Sequence, residues 1–171
     1  RSASQTRRPA TYAPWPTALK EAARLAPDFA PRTLLDAGTG TAAASWAATE
    51  TWGSLEAATW LDASQPFLTM AARLAADGPE VLRNPEALRR SLDGSDLPVA
   101  DLVMASYVLA EIAPAAQGPV VRSLWGAATG MLVLVEPGTP AGAGRLLAAR
   151  EALVAQGAAV LAPCPHPAPC P

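Results

Sequence analysis

Short unbroken apolar runs alternate along this chain with stretches whose apolar residues recur at helical spacing. The runs cover residues 32–36, 57–62, 101–106 and 130–135, with weaker ones at Leu92-Asp93 and at 158–161, and Tyr107-Val108-Leu109 prolongs the third. Helical spacing covers 17–25, 41–49, 63–76, 117–129 and 146–156, while 77–90 is broken by Gly and Pro and has room for one helical turn. Strands that are apolar on both faces must be covered on both faces, and strands separated by helices pair in parallel. The pattern therefore predicts an α/β protein with a doubly wound parallel sheet. In such sheets ligands lie beyond the carboxyl ends of the strands. That directs attention to the polar residues closing the runs: Asp36, Asp62, Asp93, Ser106 and Glu136.

Length narrows this to one domain, since 171 residues suit a single core. Half of the residues are apolar and 16% are charged, which excludes a disordered tail. A formal net charge of -2 gives no global basic field, so any RNA contact is expected to be local. Residues 1–16 read as an N-terminal arm. Its Arg1, Arg7 and Arg8, with Tyr12 and Trp15, are candidates for phosphate contact and base stacking. Residues 17–162 form the domain proper, and 163–171 are a Cys/Pro-rich segment. No apolar run approaches the roughly 18 residues of a membrane span, and no secretory leader opens the chain. A cytoplasmic protein without a membrane partner is expected, its oligomeric state open. The start at Arg1 and the end inside a Cys/Pro cluster suggest a piece of something longer.

Two glycines, Gly38 and Gly40, follow the first run, where absence of a Cβ lets backbone approach a ligand closely. A tight strand-to-helix turn needs glycine with or without a ligand, so this spacing is weak by itself. Asp36 adds to it, because a carboxylate closing a buried strand needs donors, from the glycine loop or from a ligand's ammonium. Asp62 adds more, since it closes the next run some twenty residues on, where a carboxylate accepts both hydroxyls of a ribose. A nicotinamide site remains a competitor, because Ala43 satisfies the third position of that fingerprint. Cys164 and Cys170, flanking His166, form a partial metal motif: close thiols beside a histidine suggest metal, but four ligands are usual.

Four motifs in order resemble those of the Rossmann-like S-adenosylmethionine (SAM) methyltransferases. Leu34-Leu35-Asp36-Ala37-Gly38-Thr39-Gly40-Thr41 is similar to their first and Trp60-Leu61-Asp62-Ala63-Ser64 to their second. The segment 101–111 is similar to the fourth-strand motif and Glu136-Pro137-Gly138 to the turn after the fifth strand. A narrower match involves Tyr12-Ala13, Ala44-Ser45-Trp46-Ala47-Ala48, Leu61 to Gln65, Val108-Leu109-Ala110-Glu111, Glu136 to Pro140 and Cys164-Pro165-His166 with Cys170-Pro171. It resembles the Rsm22 family of bacterial proteins and mitochondrial small-ribosomal-subunit assembly factors.

The resemblance implies SAM as cofactor, held by Asp36, Gly38, Gly40, Asp62, Ala63, Asp93 and Ser106. It places the methyl-transfer site near Ser106, Tyr107 and Glu111, with no residue singled out as catalytic. The small ribosomal subunit or its rRNA is the implied partner. In the family's fuller forms Cys164 and Cys170 would belong to a four-cysteine iron-sulfur site. An enzyme acting on rRNA and a SAM-holding assembly factor without turnover are both compatible with these residues, and a nucleotide-dependent oxidoreductase is a third reading. Six strands are countable where the methyltransferase sheet has seven, so the last strand is expected to be missing.

Overall fold

A computed structural model describes residues 14–166 and 168. Most of the arm, with Arg1, Arg7, Arg8 and Tyr12, and also Cys170, lie outside the described residues. Five strands, β1 (Thr33–Ala37), β2 (Ala57–Asp62), β3 (Glu86–Arg89), β4 (Ala100–Ser106) and β5 (Ala128–Val135), form one parallel sheet in the order β3-β2-β1-β4-β5. Helices α1 (Pro14–Leu25), α2 (Ala43–Thr51), α3 (Gln65–Ala75), α4 (Glu80–Arg83), α5 (Val108–Glu111), α6 (Pro114–Ala127) and α7 (Pro140–Val154) connect and flank it.

The continuous apolar runs are explained by two cores, one on each face. Successive strand residues point to opposite sides, so Leu34, Trp60, Leu102 and Met104 pack under α1, α2 and α3. Their neighbours Leu35, Leu61, Val103 and Ala105 pack under α6 and α7. Leu34, Leu35, Trp60, Leu102 and Val103 are all at most 1% exposed. Truncating any such leucine to alanine costs about 2–5 kcal/mol. The order of strands reverses between β1 and β4, and the loops leaving those two strands frame the switch point at which α/β sheets bind ligands.

Several expectations need correction. Tyr107 to Leu109 do not extend β4: Tyr107 turns to φ +60, and Val108 onward is helical. The third parallel strand ends at Arg89, not near Asp93, because its partner β2 ends opposite it at Asp62, whose carbonyl takes the last ladder bond from the Arg90 N–H at 3.0 Å. Residues 158–161 form no strand. Gly157, at φ +89, ends α7 with the Ala158 N–H returning to the Leu153 carbonyl at 3.0 Å, and Ala158 and Leu161 then pack against the two cores. The described sheet therefore has five strands where six were counted. α1 starts at Pro14, earlier than expected, since proline suits a first turn. That start makes Trp15 a core residue, 0% exposed, which removes it from the candidates for base stacking.

Candidate functional site

The turn after β1 is built by backbone bonds to the neighbouring strand. The N–H groups of Gly38 and Thr39 donate to the Leu61 carbonyl at 2.7 and 3.1 Å, and the Thr39 hydroxyl donates to the Asp36 carbonyl at 2.7 Å. Both glycines are left-handed, at φ +79 and +53, but they serve different ends. A Cβ on Gly38 would meet Val108 Cγ1 at 2.2 Å, so this glycine lets the loop pack against α5. Around a Cβ on Gly40 nothing is nearer than 4.0 Å, so this glycine leaves its backbone open on one side.

Asp62, at the end of β2, ties the loop down. Its Oδ2 accepts from the Gly40 N–H and its Oδ1 from the Ser64 N–H, each at 2.8 Å. Each carboxylate oxygen keeps a further acceptor position. Ala63 stands exposed between the two bonded residues.

Asp36 is 1% exposed, and it does not meet the glycine loop through its side chain. Of the two donor sources expected for its carboxylate, the glycine loop or a ligand's ammonium, the loop supplies none: Oδ2 accepts from Ser45 on α2, from Oγ at 2.6 Å and from N–H at 3.2 Å. Ser45 Oγ in turn accepts from Trp60 Nε1 at 3.0 Å. The reason lies at the helix start. Ala42 occupies the N-cap at φ +62 with no side-chain oxygen, and Asp36 caps the third amide of α2 from the adjacent strand, where the helix dipole favours a carboxylate. Burial pushes the Asp36 carboxyl up to about 7; the Ser45 bonds oppose this and the Asp62 charge adds to it.

The far wall is formed by β4, α5 and the end of β5. The Tyr107 N–H donates to the Val135 carbonyl at 2.8 Å, with Ser106 and Tyr107 both half-buried. Buried Glu136 accepts the Leu109 N–H at 3.2 Å on Oε1 and the Arg145 Nε at 2.7 Å on Oε2, which joins β5, α5 and α7. Gln117 Nε2 holds the Leu109 and Ile112 carbonyls at 2.9 and 3.1 Å. Glu111 is exposed on α5.

The structure thus gathers Gly38, Gly40, Asp62, Ala63, Ser106 and Tyr107 at the carboxyl edge of the sheet, with Asp36 beneath them. Asp93 lies in an exposed turn four residues past the end of β3. Its Oδ1 accepts from the Ser95 N–H at 3.0 Å and from the Ser95 hydroxyl, bonds that lower its pKa. Gly94 beside it packs on Pro119 of α6. Cys164 is a half-buried free thiol, with its carbonyl accepting from the His166 N–H at 2.8 Å. Among the described residues no group of three His, Cys, Asp or Glu side chains is placed to hold a metal. Sequence reasoning missed Ser45, Val108 and Arg145 as parts of the site. Ser45 and Val108 lie inside two of the segments that carry the family resemblance, 44–48 and 108–111, which gives neither a role, whereas Thr139-Pro140 is a helix-start signal that could have placed Arg145 on a helix beginning at Pro140.

Strand order, the glycine turn and the acid at the end of β2 define a Rossmann-like methyltransferase fold. Solved structures with this architecture include SAM-bound CalS10, an amino pentose methyltransferase from Micromonospora echinaspora. It is 18% identical, with a TM-score of 0.60 over 80% of this chain and 55% of that one. SAM-bound magnesium protoporphyrin IX methyltransferase from Synechocystis PCC 6803 is 16% identical, with a TM-score of 0.59 over 79% and 66%. Over residues 3–171 the chain matches the family described as mitochondrial small ribosomal subunit Rsm22, and it belongs to that family. The human mitochondrial ribosome assembly protein METTL17 is 37% identical over 161 residues, which cover 85% of this chain and 35% of that protein. The chain thus spans about a third of the length of this relative. Among the described residues no helix is long and apolar enough to cross a membrane.

Proposed function

We propose that this chain is the SAM-binding part of a methyltransferase acting on rRNA or another component of the small ribosomal subunit. The observation carrying the reading is the pair formed by Gly40 and Asp62: an open backbone position bonded to a carboxylate with acceptor capacity left on both oxygens. Those free acceptor positions beside open backbone fit an adenosyl ligand, whose ribose hydroxyls donate. Gly38 and Gly40 shape the loop, Asp62 takes the ribose hydroxyls, Ala63 leaves room beside the adenine, and Ser106 and Tyr107 border the transfer site. SAM supplies an electrophilic methyl group with a good leaving group. The protein's part is then positioning and water exclusion more than proton transfer. No described residue is assigned as a base.

A second reading, a SAM-holding assembly factor without turnover, is favoured by the description of the human relative as a ribosome assembly protein. In the whole protein Cys164 and Cys170 are proposed as two ligands of an iron-sulfur site. Calorimetry with SAM, its demethylated product and NAD separates the cofactor classes. Heat with NAD alone overturns the SAM reading in favour of an oxidoreductase. Labelled methyl transfer to purified small subunits then separates the enzyme from the silent factor.

A further inference from the structure

Ser45, 0% exposed, stands at the centre of a polar cluster buried beneath the glycine loop. Its hydroxyl accepts from the Trp60 indole, which has only a donor to offer, so the single hydroxyl proton goes to Asp36. Among the described residues no cation enters this cluster. Among the elements packed against Asp36, β2 presents Asp62, α2 carries only Glu50 at its far exposed end, and β4 carries only Asp101 at its opposite end. Neutral donors alone hold the carboxylate, and a second carboxylate stands at the end of the adjacent strand. A carboxyl group in that setting responds strongly to a positive charge placed nearby.

Resting on the reading that the site takes SAM, we infer that Asp36 is a proton-exchanging positioning residue and makes no direct contact with the ligand. It is partly protonated in the ligand-free protein near neutrality and gives that proton to solvent when a cationic ligand binds, while Ser45 sets how readily it does so. SAM carries a sulfonium that its demethylated product lacks. The same buried carboxyl therefore separates the two by charge, and proton release accompanies SAM binding more than product binding. With the carboxyl raised to about 7, both of its forms are populated near neutrality.

The test is calorimetric titration of the chain with SAM and with its demethylated product, in buffers of differing protonation heat. Comparing buffers gives the number of protons exchanged. SAM affinity is expected to rise about tenfold between about pH 6 and about pH 8 as one linked proton is lost, and product affinity to rise less. The ligand's own α-amino group titrates near about 8, so the readout is the difference between wild type and Asp36→Asn. Equal proton release by the two overturns the inference. Ser45→Ala removes one donor to the carboxylate and is expected to move the midpoint of the pH dependence upward. If Asp36→Asn does not fold, as judged by its melting profile, this variant carries the test, and an unmoved midpoint overturns the inference. Absence of binding by either ligand overturns the SAM reading and this inference together, whereas binding without a wild-type-specific proton overturns this inference alone.

Discussion

Gly38 and Val108 touch across the switch point of the sheet: a Cβ on Gly38 would lie 2.2 Å from Val108 Cγ1. The glycine loop and the start of α5 are thereby packed as one unit, and two costs meet at a single residue. Gly38→Ala must accept both the clash with a stiff β-branched side chain and a φ of +79. A loss of about 2–4 kcal/mol is expected in urea unfolding. Adding Val108→Ala relieves the clash while opening a small cavity of its own. The left-handed backbone still costs about 1 kcal/mol in that double variant, so full recovery of stability would contradict the backbone part of the argument.

Asp62 offers a direct check on the ligand site. Asp62→Ala leaves the Gly40 and Ser64 N–H groups without their acceptor and takes away the proposed ribose partner. SAM affinity should fall by about 1–3 kcal/mol, the range for stranded polar groups. Calorimetry at fixed pH reads this, and an unchanged affinity removes Asp62 from the cofactor contacts.

The Glu136–Arg145 pair tests the wall behind Tyr107. Glu136 has a side chain 1% exposed and Arg145 one 19% exposed. Arg145→Ala leaves the buried carboxylate with only the Leu109 N–H and should cost about 3 kcal/mol. Replacing both partners by neutral side chains of similar size, Glu136→Gln with Arg145→Met, should cost less than Arg145→Ala alone. Thermal and chemical denaturation of the wild type and these two variants decides this.

Asp36 also gives a pH signature in stability. Its carboxyl is raised from 3.8 to about 7 in the folded chain, so between these values the native state binds more protons than the unfolded one. Stability then falls as pH rises through this window, by a few kcal/mol at most over about three units. Asp101, whose pKa is lowered mainly by the Arg32 and Thr33 N–H groups, acts with the opposite sign, its stabilisation being lost as the medium becomes strongly acid. Melting temperatures from about pH 5 to about pH 8 should decline for the wild type and stay flatter for Asp36→Asn. A wild type that gains stability toward about pH 8 contradicts the raised carboxyl.

The chain's own residues determined the layered α/β class, the main strands and the placement of Asp36, Gly38, Gly40, Asp62 and Ser106 at strand ends. Unbroken apolar runs leave a strand no choice but cover on both faces, and glycine at left-handed turns is a local requirement. The family was legible for the same reason, since its motifs are short contiguous segments. Boundaries were less legible where a neighbour decides them: β3 stops at Arg89 because its partner β2 ends opposite it at Asp62, and residues 158–161 follow the packing of α7's end instead of a strand pattern. What Asp36 does was beyond the sequence altogether. Its partner lies nine residues away on a helix whose own N-cap is an alanine. Only the packing of α2 against β1 and β2 brings Ser45 between an indole donor and a carboxylate, because a buried polar group takes whichever partner the packing places within reach.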